Sequence, residues 1–330
     1  MLDPVVVKEA HERIAPFING TPLLESHQLN DWLGHRVIFK VEGLQRAGAF
    51  KFRGAINGLL CMKERGHLPE EVVAFSSGNH AQAMALAARI MGIRSTVYIT
   101  RGAALVKRLA TVSYGAEVIL TETRQEAEAA IHDRIEQGAT LLHPYDNDDV
   151  IAGQGTACFE VLQSGLRPDA IVATCGGGGW LAGTLLASRL LSPASKVIGA
   201  EPLNANDAAR SLKAGSIFRF PSSPDTLADG AQTLAVAPRT FPYLQQLEAM
   251  VEVPEESIIY WSQWLNHLLK TTVEPTSAVA MGGLCGWLRE QHSPKTALVL
   301  LSGGNIAAAS YRKIWERDHL NIQPSLHEGL

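Results

Sequence analysis

Short apolar, β-branched runs alternate along this chain with longer stretches whose apolar residues recur at helical spacing. Val72–Ser76 reads as a strand and Asn79–Met91 as a helix. The same pair recurs as Ser95–Ile99 with Ala103–Ser113, Glu117–Leu120 with Arg124–Gln137, and Thr140–His143 with Val150–Ser164. Farther on, the strands Ala170–Cys175 and Lys196–Ala200 flank a helical Trp180–Leu191. Met250–Val253, Glu255–Lys270 and Thr296–Leu301 then read as strand, helix and strand. The alternation predicts an α/β fold, with mostly parallel sheets flanked by helices. Arg219–Gly230, rich in Pro and Ser, reads as a long loop.

Ligands of such sheets bind beyond the carboxyl ends of the strands. Three strand ends run into small, polar, Gly-containing turns that open helices: Ser76-Ser77-Gly78-Asn79-His80, Gly176-Gly177-Gly178-Gly179 and Ser302-Gly303-Gly304-Asn305. The tetraglycine is the sharpest signal. Glycine lets several backbone N–H groups approach one anion, and the helix that follows adds partial positive charge. A P-loop is excluded, because Trp180 and Leu181 stand where Lys and Ser/Thr are required. Two ligand classes stay open on the loop alone. Gly177-x-Gly179-x-x-Ala182, with Glu201 ending the next apolar run, fits a dinucleotide site. A single phosphomonoester such as pyridoxal 5′-phosphate fits equally.

Composition narrows the function classes. The 330 residues suffice for about two domains. A net charge of −4, with scattered Lys and Arg, offers no basic field for nucleic acid or an anionic membrane. No apolar run is long enough to span a bilayer, and the first residues do not resemble a signal peptide, so a cytoplasmic location is the default expectation. Cys61, Cys158, Cys175 and Cys285 are widely spaced, which argues against a disulfide framework or a metal knuckle.

Lys51 lies between Phe50 and Phe52. Such a lysine either snorkels from an amphipathic helix or sits in an apolar pocket, with a lowered pKa and the capacity to form an imine with an aldehyde. Gln45 to Ala55, the Ser-Ser-Gly-Asn-His turn, the tetraglycine and the Ser-Gly-Gly-Asn turn follow in this order. Together they resemble the fold type II pyridoxal-phosphate enzymes, in particular the serine/threonine dehydratase and serine racemase branch. The resemblance runs from Thr21-Pro22-Leu23 to Asn305.

The resemblance implies roles residue by residue. Lys51 would anchor the cofactor and later move the substrate's α-proton. Phe50 would pack on one face of the cofactor ring, and Asn79 would hydrogen-bond its phenolic oxygen. Gly176, Gly177, Gly178 and Gly179 would hold the phosphate, and Ser302 would face the pyridine nitrogen. Ser76, Ser77, Gly78, Asn79 and His80 would bind the substrate carboxylate, and Ser77 would work on the ring face opposite Lys51. Glu201, Ala205 and Asp207 resemble a loop that holds Mg²⁺, Ca²⁺ or K⁺. Their alternative reading is an acidic helix start.

The implied architecture is a large domain of residues 1–62 and 147–330 and a small mobile domain of residues 63–146, in a homodimer. The implied activity is elimination of water from a small amino-acid substrate, serine, threonine or a related 3-hydroxy amino acid, giving a 2-oxo acid and ammonia. Serine racemase and a threo-3-hydroxyaspartate dehydratase are alternatives, the latter with Arg124 as a weak partner for the second carboxylate. A nicotinamide-dependent oxidoreductase is the alternative from another class. The chain departs from its relatives at Ala47, Ala49, Ala104 and Trp180. The bulk of Trp180 bears on the shape of the cleft. His143 reads as a satisfied residue at a domain edge, and Glu274-Pro275-Thr276-Ser277 resembles a segment near the active site without a defined role.

Overall fold

A computed structural model describes every residue except 77, 102–104 and 327–330. Among the described residues ten strands form, in chain order β1 (Leu23–Glu25), β2 (Arg36–Val41), β3 (Glu71–Phe75), β4 (Arg94–Thr100), β5 (Glu117–Thr121), β6 (Thr140–Leu141), β7 (Ala170–Thr174), β8 (Lys196–Pro202), β9 (Ala249–Val253) and β10 (Thr296–Leu301). They build two sheets, ordered β1-β2-β10-β7-β8-β9 and β5-β4-β3-β6. Every pairing is parallel except β1 with β2. The expected α/β class with parallel sheets flanked by helices is therefore the observed one.

Both sheets are covered on both faces, which explains strands that read as nearly continuous apolar runs. Successive side chains of β10 point to opposite sides. Val299 and Leu301 join a core beneath the helices Glu255–Leu269 and Pro275–Leu288. Leu298 and Leu300 join a core beneath Asp148–Gln163 and Gly179–Leu191. In the smaller sheet, Val72 and Ala74 of β3 pack toward Asn79–Met91, and Val73 packs toward Arg124–Glu136. The four cysteines are buried and unpaired. No helix of the described residues is long and apolar enough to cross a membrane.

The departures from the sequence pattern have local causes. The strand expected over Thr140–His143 stops at Leu141, because Pro144 offers no N–H and restrains His143 before it. β8 runs on to Pro202 because β9 pairs with it as far as Val253. The helix Pro275–Leu288 carried no periodic signal, since it is buried on nearly every side. The expected helix start at Ala103 lies outside the described residues, and that helix is seen over Leu105–Ser113.

One buried ionic cluster fixes the helix Lys51–Glu64. Arg53, fully buried, donates to both carboxylate oxygens of Glu42 (2.7 and 2.9 Å) and of Glu160 (2.7 and 3.0 Å). Lys40 Nζ donates to Glu160 at 2.6 Å. Two cations therefore face two anions. Burial would push the Glu160 carboxyl up, but Arg53 and Lys40 hold it below its ordinary value. The cluster joins β2 and the turn after it to two helices, Lys51–Glu64 and Asp148–Gln163. Arg53→Ala leaves Glu42 buried without its partner and is expected to cost about 3–5 kcal/mol. A lower urea midpoint at unchanged m-value would register it.

Candidate active site

The carboxyl ends of β3, β6, β7 and β10 open onto one cavity of about 670 Å³. Lys51, Phe50, Ser76, Gly78, Asn79, His80, the four glycines and Ser302 all line it. Ser77, which the resemblance sets opposite Lys51, lies outside the described residues, as does the side chain of Arg124.

Lys51 opens its helix because Ala49 bridges to Gly303 and the Phe50 N–H donates to the Ser302 carbonyl at 3.0 Å. Its Nζ donates to the Pro144 carbonyl (3.3 Å) and lies 4.9 Å from the centre of the Phe50 ring. Burial pushes the amine down to about 8, against the opposing pull of the Glu274 carboxylate. Phe50 in turn stacks on Trp180, with ring centres 4.0 Å apart and planes 9° from parallel. The residue that departs from its relatives thus backs the aromatic wall beside Lys51.

Two helix N-termini face the cavity. Gly179–Leu191 follows the tetraglycine, and Asn79–Met91 follows the Ser76 turn; among the described residues no side chain caps either one. Their first N–H groups are therefore available to anions. Gly178 has φ of +88°, and a Cβ there would meet Thr240 Oγ1 at 2.8 Å. Thr240 holds the loop from behind, donating to the Gly177 carbonyl at 2.7 Å. A Cβ on Gly177 would strike the Tyr145 ring at 2.3 Å. The loop can present only backbone to the cavity.

At the opposite end stands a buried carboxyl whose role the sequence left undefined. Glu274 accepts from Asn79 Nδ2 (3.0 and 3.1 Å to its two oxygens) and from Ser302 Oγ (3.1 Å). The Asn79 amide is oriented by Asn305, whose Nδ2 donates to Asn79 Oδ1 at 2.9 Å and to the Ala47 carbonyl at 2.8 Å. Burial, and then the charge of Asp229, push Glu274 up to about 7. Hydrogen bonds from Asn79 and Ser302 and the charge of Lys107 act the other way. The signal that could have found Glu274 is a carboxylate directly before Pro275 at the start of an otherwise apolar helix.

Residues 14–303 match the family described as pyridoxal-phosphate dependent enzyme. The chain belongs to that family.

The L-threo-3-hydroxyaspartate ammonia-lyase of Saccharomyces cerevisiae is 39% identical over 310 residues, covering 92% of this chain and 94% of the relative. The serine racemase of Dictyostelium discoideum is 38% identical over 313 residues, 93% and 96% of the two chains. The solved T.th. threonine deaminase superposes with a TM-score of 0.82 at 39% identity, covering 91% of this chain and 97% of that one. The fold is thus the fold type II arrangement of the pyridoxal-phosphate enzymes. The nicotinamide alternative falls with it. The Glu201 carboxylate is engaged within the chain: it accepts from the N–H groups of Ala208 (3.1 Å) and Ala209 (2.6 Å), at the start of the helix Asp207–Ala214.

The cavity of this pyridoxal-phosphate enzyme fits the cofactor on two observations. The bare glycine loop offers backbone N–H groups to a phosphate, and a buried, readily deprotonated amine lies in the same cavity. His143 and His80 also line the cavity. His143 Nδ1 accepts from the N–H groups of Asp146 (2.7 Å) and Tyr145 (3.3 Å). His80 Nε2 is held by the Leu142 carbonyl at 2.7 Å. Burial, then the Lys51 charge, push His80 down to about 3, so it stays neutral.

Only the neutral amine attacks an aldehyde. In the cofactor-free protein, reductive trapping of an aldehyde on Lys51 should therefore accelerate about tenfold per pH unit below the Lys51 pKa and level off above about 8. Mass spectrometry of the trapped peptide across a pH series measures it.

Proposed function

We propose that this protein is a pyridoxal-phosphate-dependent ammonia-lyase that removes water from serine or threonine, yielding a 2-oxo acid and ammonia. One observation carries the reading: an amine that burial brings down to about 8 shares a cavity with two uncapped helix N-termini. When bound, the cofactor supplies an electron sink for charge that develops at the substrate's α-carbon.

The chain supplies position and proton transfer. The N-terminus of Gly179–Leu191 takes the phosphate, and that of Asn79–Met91 takes the substrate carboxylate. Lys51 removes the α-proton, its Nζ steered by the Pro144 carbonyl. Asn79 offers its second N–H to the phenolic oxygen, because Asn305 prevents the amide from turning over. Residues 63–146 act as the small domain and close over the substrate. The ion pair between Lys107 and Asp229 ties its helix Leu105–Ser113 to the rim of the cavity. A homodimer belongs to the same proposal.

The chemistry of the cavity wall favours a substrate with one carboxylate. Among the described lining residues there is no arginine and no lysine besides Lys51, while Glu128, Asp229 and Glu274 all contribute carboxyls. A second carboxylate, as in hydroxyaspartate, would meet those acids. Incubation with L-serine, L-threonine and L-threo-3-hydroxyaspartate should release 2-oxo acid from the first two, at least tenfold faster than from the third, and Lys51→Ala should abolish it. Release only from hydroxyaspartate would overturn the substrate choice. Silence with all three, accompanied by inversion of serine on chiral chromatography, would make the protein a racemase.

Glu201, Asp207 and the Ala205 carbonyl form a cation site within the same proposal. Both carboxyls are buried, and Asp207 Oδ2 has no hydrogen-bond partner among the described residues. Burial pushes Glu201 up to about 8, with the Asp207 charge adding to the rise, and pushes Asp207 up to about 7. The folded chain then holds protons that the unfolded chain has released, so stability falls as pH rises through this range. Mg²⁺, Ca²⁺ or K⁺ should reverse that fall. Thermal melts at pH 6 and pH 8 after chelator treatment should differ more than melts with cation restored. Asp207→Asn should remove the cation's effect.

A further inference from the structure

Hydrogen counting around Ser302 gives Glu274 a function beyond its contacts. Ser302 Oγ lies 3.1 Å from Glu274 Oε1 and 2.9 Å from Ser277 Oγ. Ser277 Oγ accepts from the Gly303 N–H at 2.9 Å and can donate to the Gly303 carbonyl at 2.9 Å or to Ser302. Asn79 presents only N–H to Glu274, because its oxygen is engaged by Asn305. One N–H needs one carboxylate oxygen as acceptor. Asn79 reaches both oxygens, so a proton placed on Oε1 toward Ser302 still leaves Oε2, at 3.1 Å, to accept from Asn79.

With Ser277 donating to Ser302, two arrangements satisfy every partner. With Glu274 ionised, Ser302 donates to Oε1, and its remaining lone pair points to the cavity as an acceptor. With Glu274 protonated, its O–H donates to Ser302 Oγ, and the Ser302 hydrogen is free to point to the cavity as a donor. The two arrangements present opposite faces of a hydrogen bond at the same place.

We propose that Glu274, Ser302 and the ring nitrogen of the bound cofactor share a single proton, with Ser302 as the relay and Glu274 as the group that gives the proton up and takes it back. This rests on the cofactor reading above, together with the placement of the ring nitrogen against Ser302 that the family resemblance implies. The step balances as follows. The Glu274 O–H bond breaks as its proton joins Ser302 Oγ, while the original Ser302 O–H bond breaks and its hydrogen joins the ring nitrogen. A neutral acid and a neutral ring become a carboxylate and a protonated ring, with no net gain or loss of protons. A hydroxyl alone stabilises a protonated ring poorly. A hydroxyl backed by a buried carboxylate acts as its counter-charge at one remove, which strengthens the electron sink as charge builds on the substrate.

The groups facing Glu274 keep this proton movable. Asp229, on the turn Asp229–Ala231, favours the protonated acid, and Lys107, paired with Asp229, favours the carboxylate. Lys51, across the cavity lining, attracts the carboxylate. Glu274 titrates near 7 under this balance, within reach of either state. Glu274 is thus a positioning residue that acts through Ser302.

The test uses full-length protein loaded with cofactor labelled with nitrogen-15 in its ring, with the visible absorbance band reporting that the cofactor is bound. The ring-nitrogen chemical shift of the wild type should lie between the protonated and unprotonated extremes. In Glu274→Gln, which has no proton to give, the shift should move to the unprotonated extreme. Ser302→Ala retains the carboxyl but breaks the relay, and should move the shift in the same direction; it also serves if Glu274→Gln does not fold. A wild-type shift that persists in either variant overturns the shared proton. A wild type that binds no cofactor overturns the proposed function itself, so the two failures are distinguishable.

Discussion

The position of Lys51 depends on Arg53. A single residue, Phe52, separates the lysine of the cavity from a guanidinium with no solvent exposure, and that guanidinium is clamped by Glu42 on one side and Glu160 on the other. A buried cation is tolerable only where its hydrogen bonds are satisfied in fixed geometry, so the cluster admits little displacement. It seats the first turn of Lys51–Glu64 against β2 and against Asp148–Gln163. Glycines let these two helices approach closely: a Cβ on Gly153 would lie 2.5 Å from the Arg53 carbonyl. The rigidity around Lys51 is therefore imposed from beneath, by charge pairing and backbone contact, while its amine keeps few polar partners.

The rest of the cavity follows from the parallel sheets. Parallel strands bring their carboxyl ends to one side, and each is followed by a helix whose N-terminus points back toward the same space. The fold thereby collects unsatisfied N–H groups at the glycine-loop end without a cationic side chain. At the other end the chain collects acids. Glu274 and Asp229 line the cavity, and Lys107 reaches Asp229 from the second sheet. The field inside runs from electropositive backbone to carboxylate, with Lys51 between them.

The Phe50–Trp180 stack shows how a departure from relatives can be absorbed. The indole follows a four-glycine loop, where no side chain competes for the space above it, and it lies flat on the ring beside Lys51. It thickens the aromatic wall without intruding on the glycine cradle.

The strand–helix alternation, the three glycine turns and Lys51 between two phenylalanines were legible along the chain because each is local: periodicity, backbone freedom and adjacency need no tertiary partner. By itself, then, the sequence determined the α/β class, the family and the grouping of Lys51, Asn79, Ser302 and the tetraglycine in one cavity. It placed the Glu274 segment near the site but did not disclose its contacts, since its partners Asn79 and Ser302 lie far away in the chain, nor Thr240 and Tyr145 behind the loop, nor that His143 faces the cavity. Nor could it turn the Asn79 amide, which Asn305 orients across most of the chain's length. Those properties are decided by tertiary structure, because burial, amide orientation and the direction of a shared hydrogen bond depend on which distant groups are brought within about 3 Å of one another.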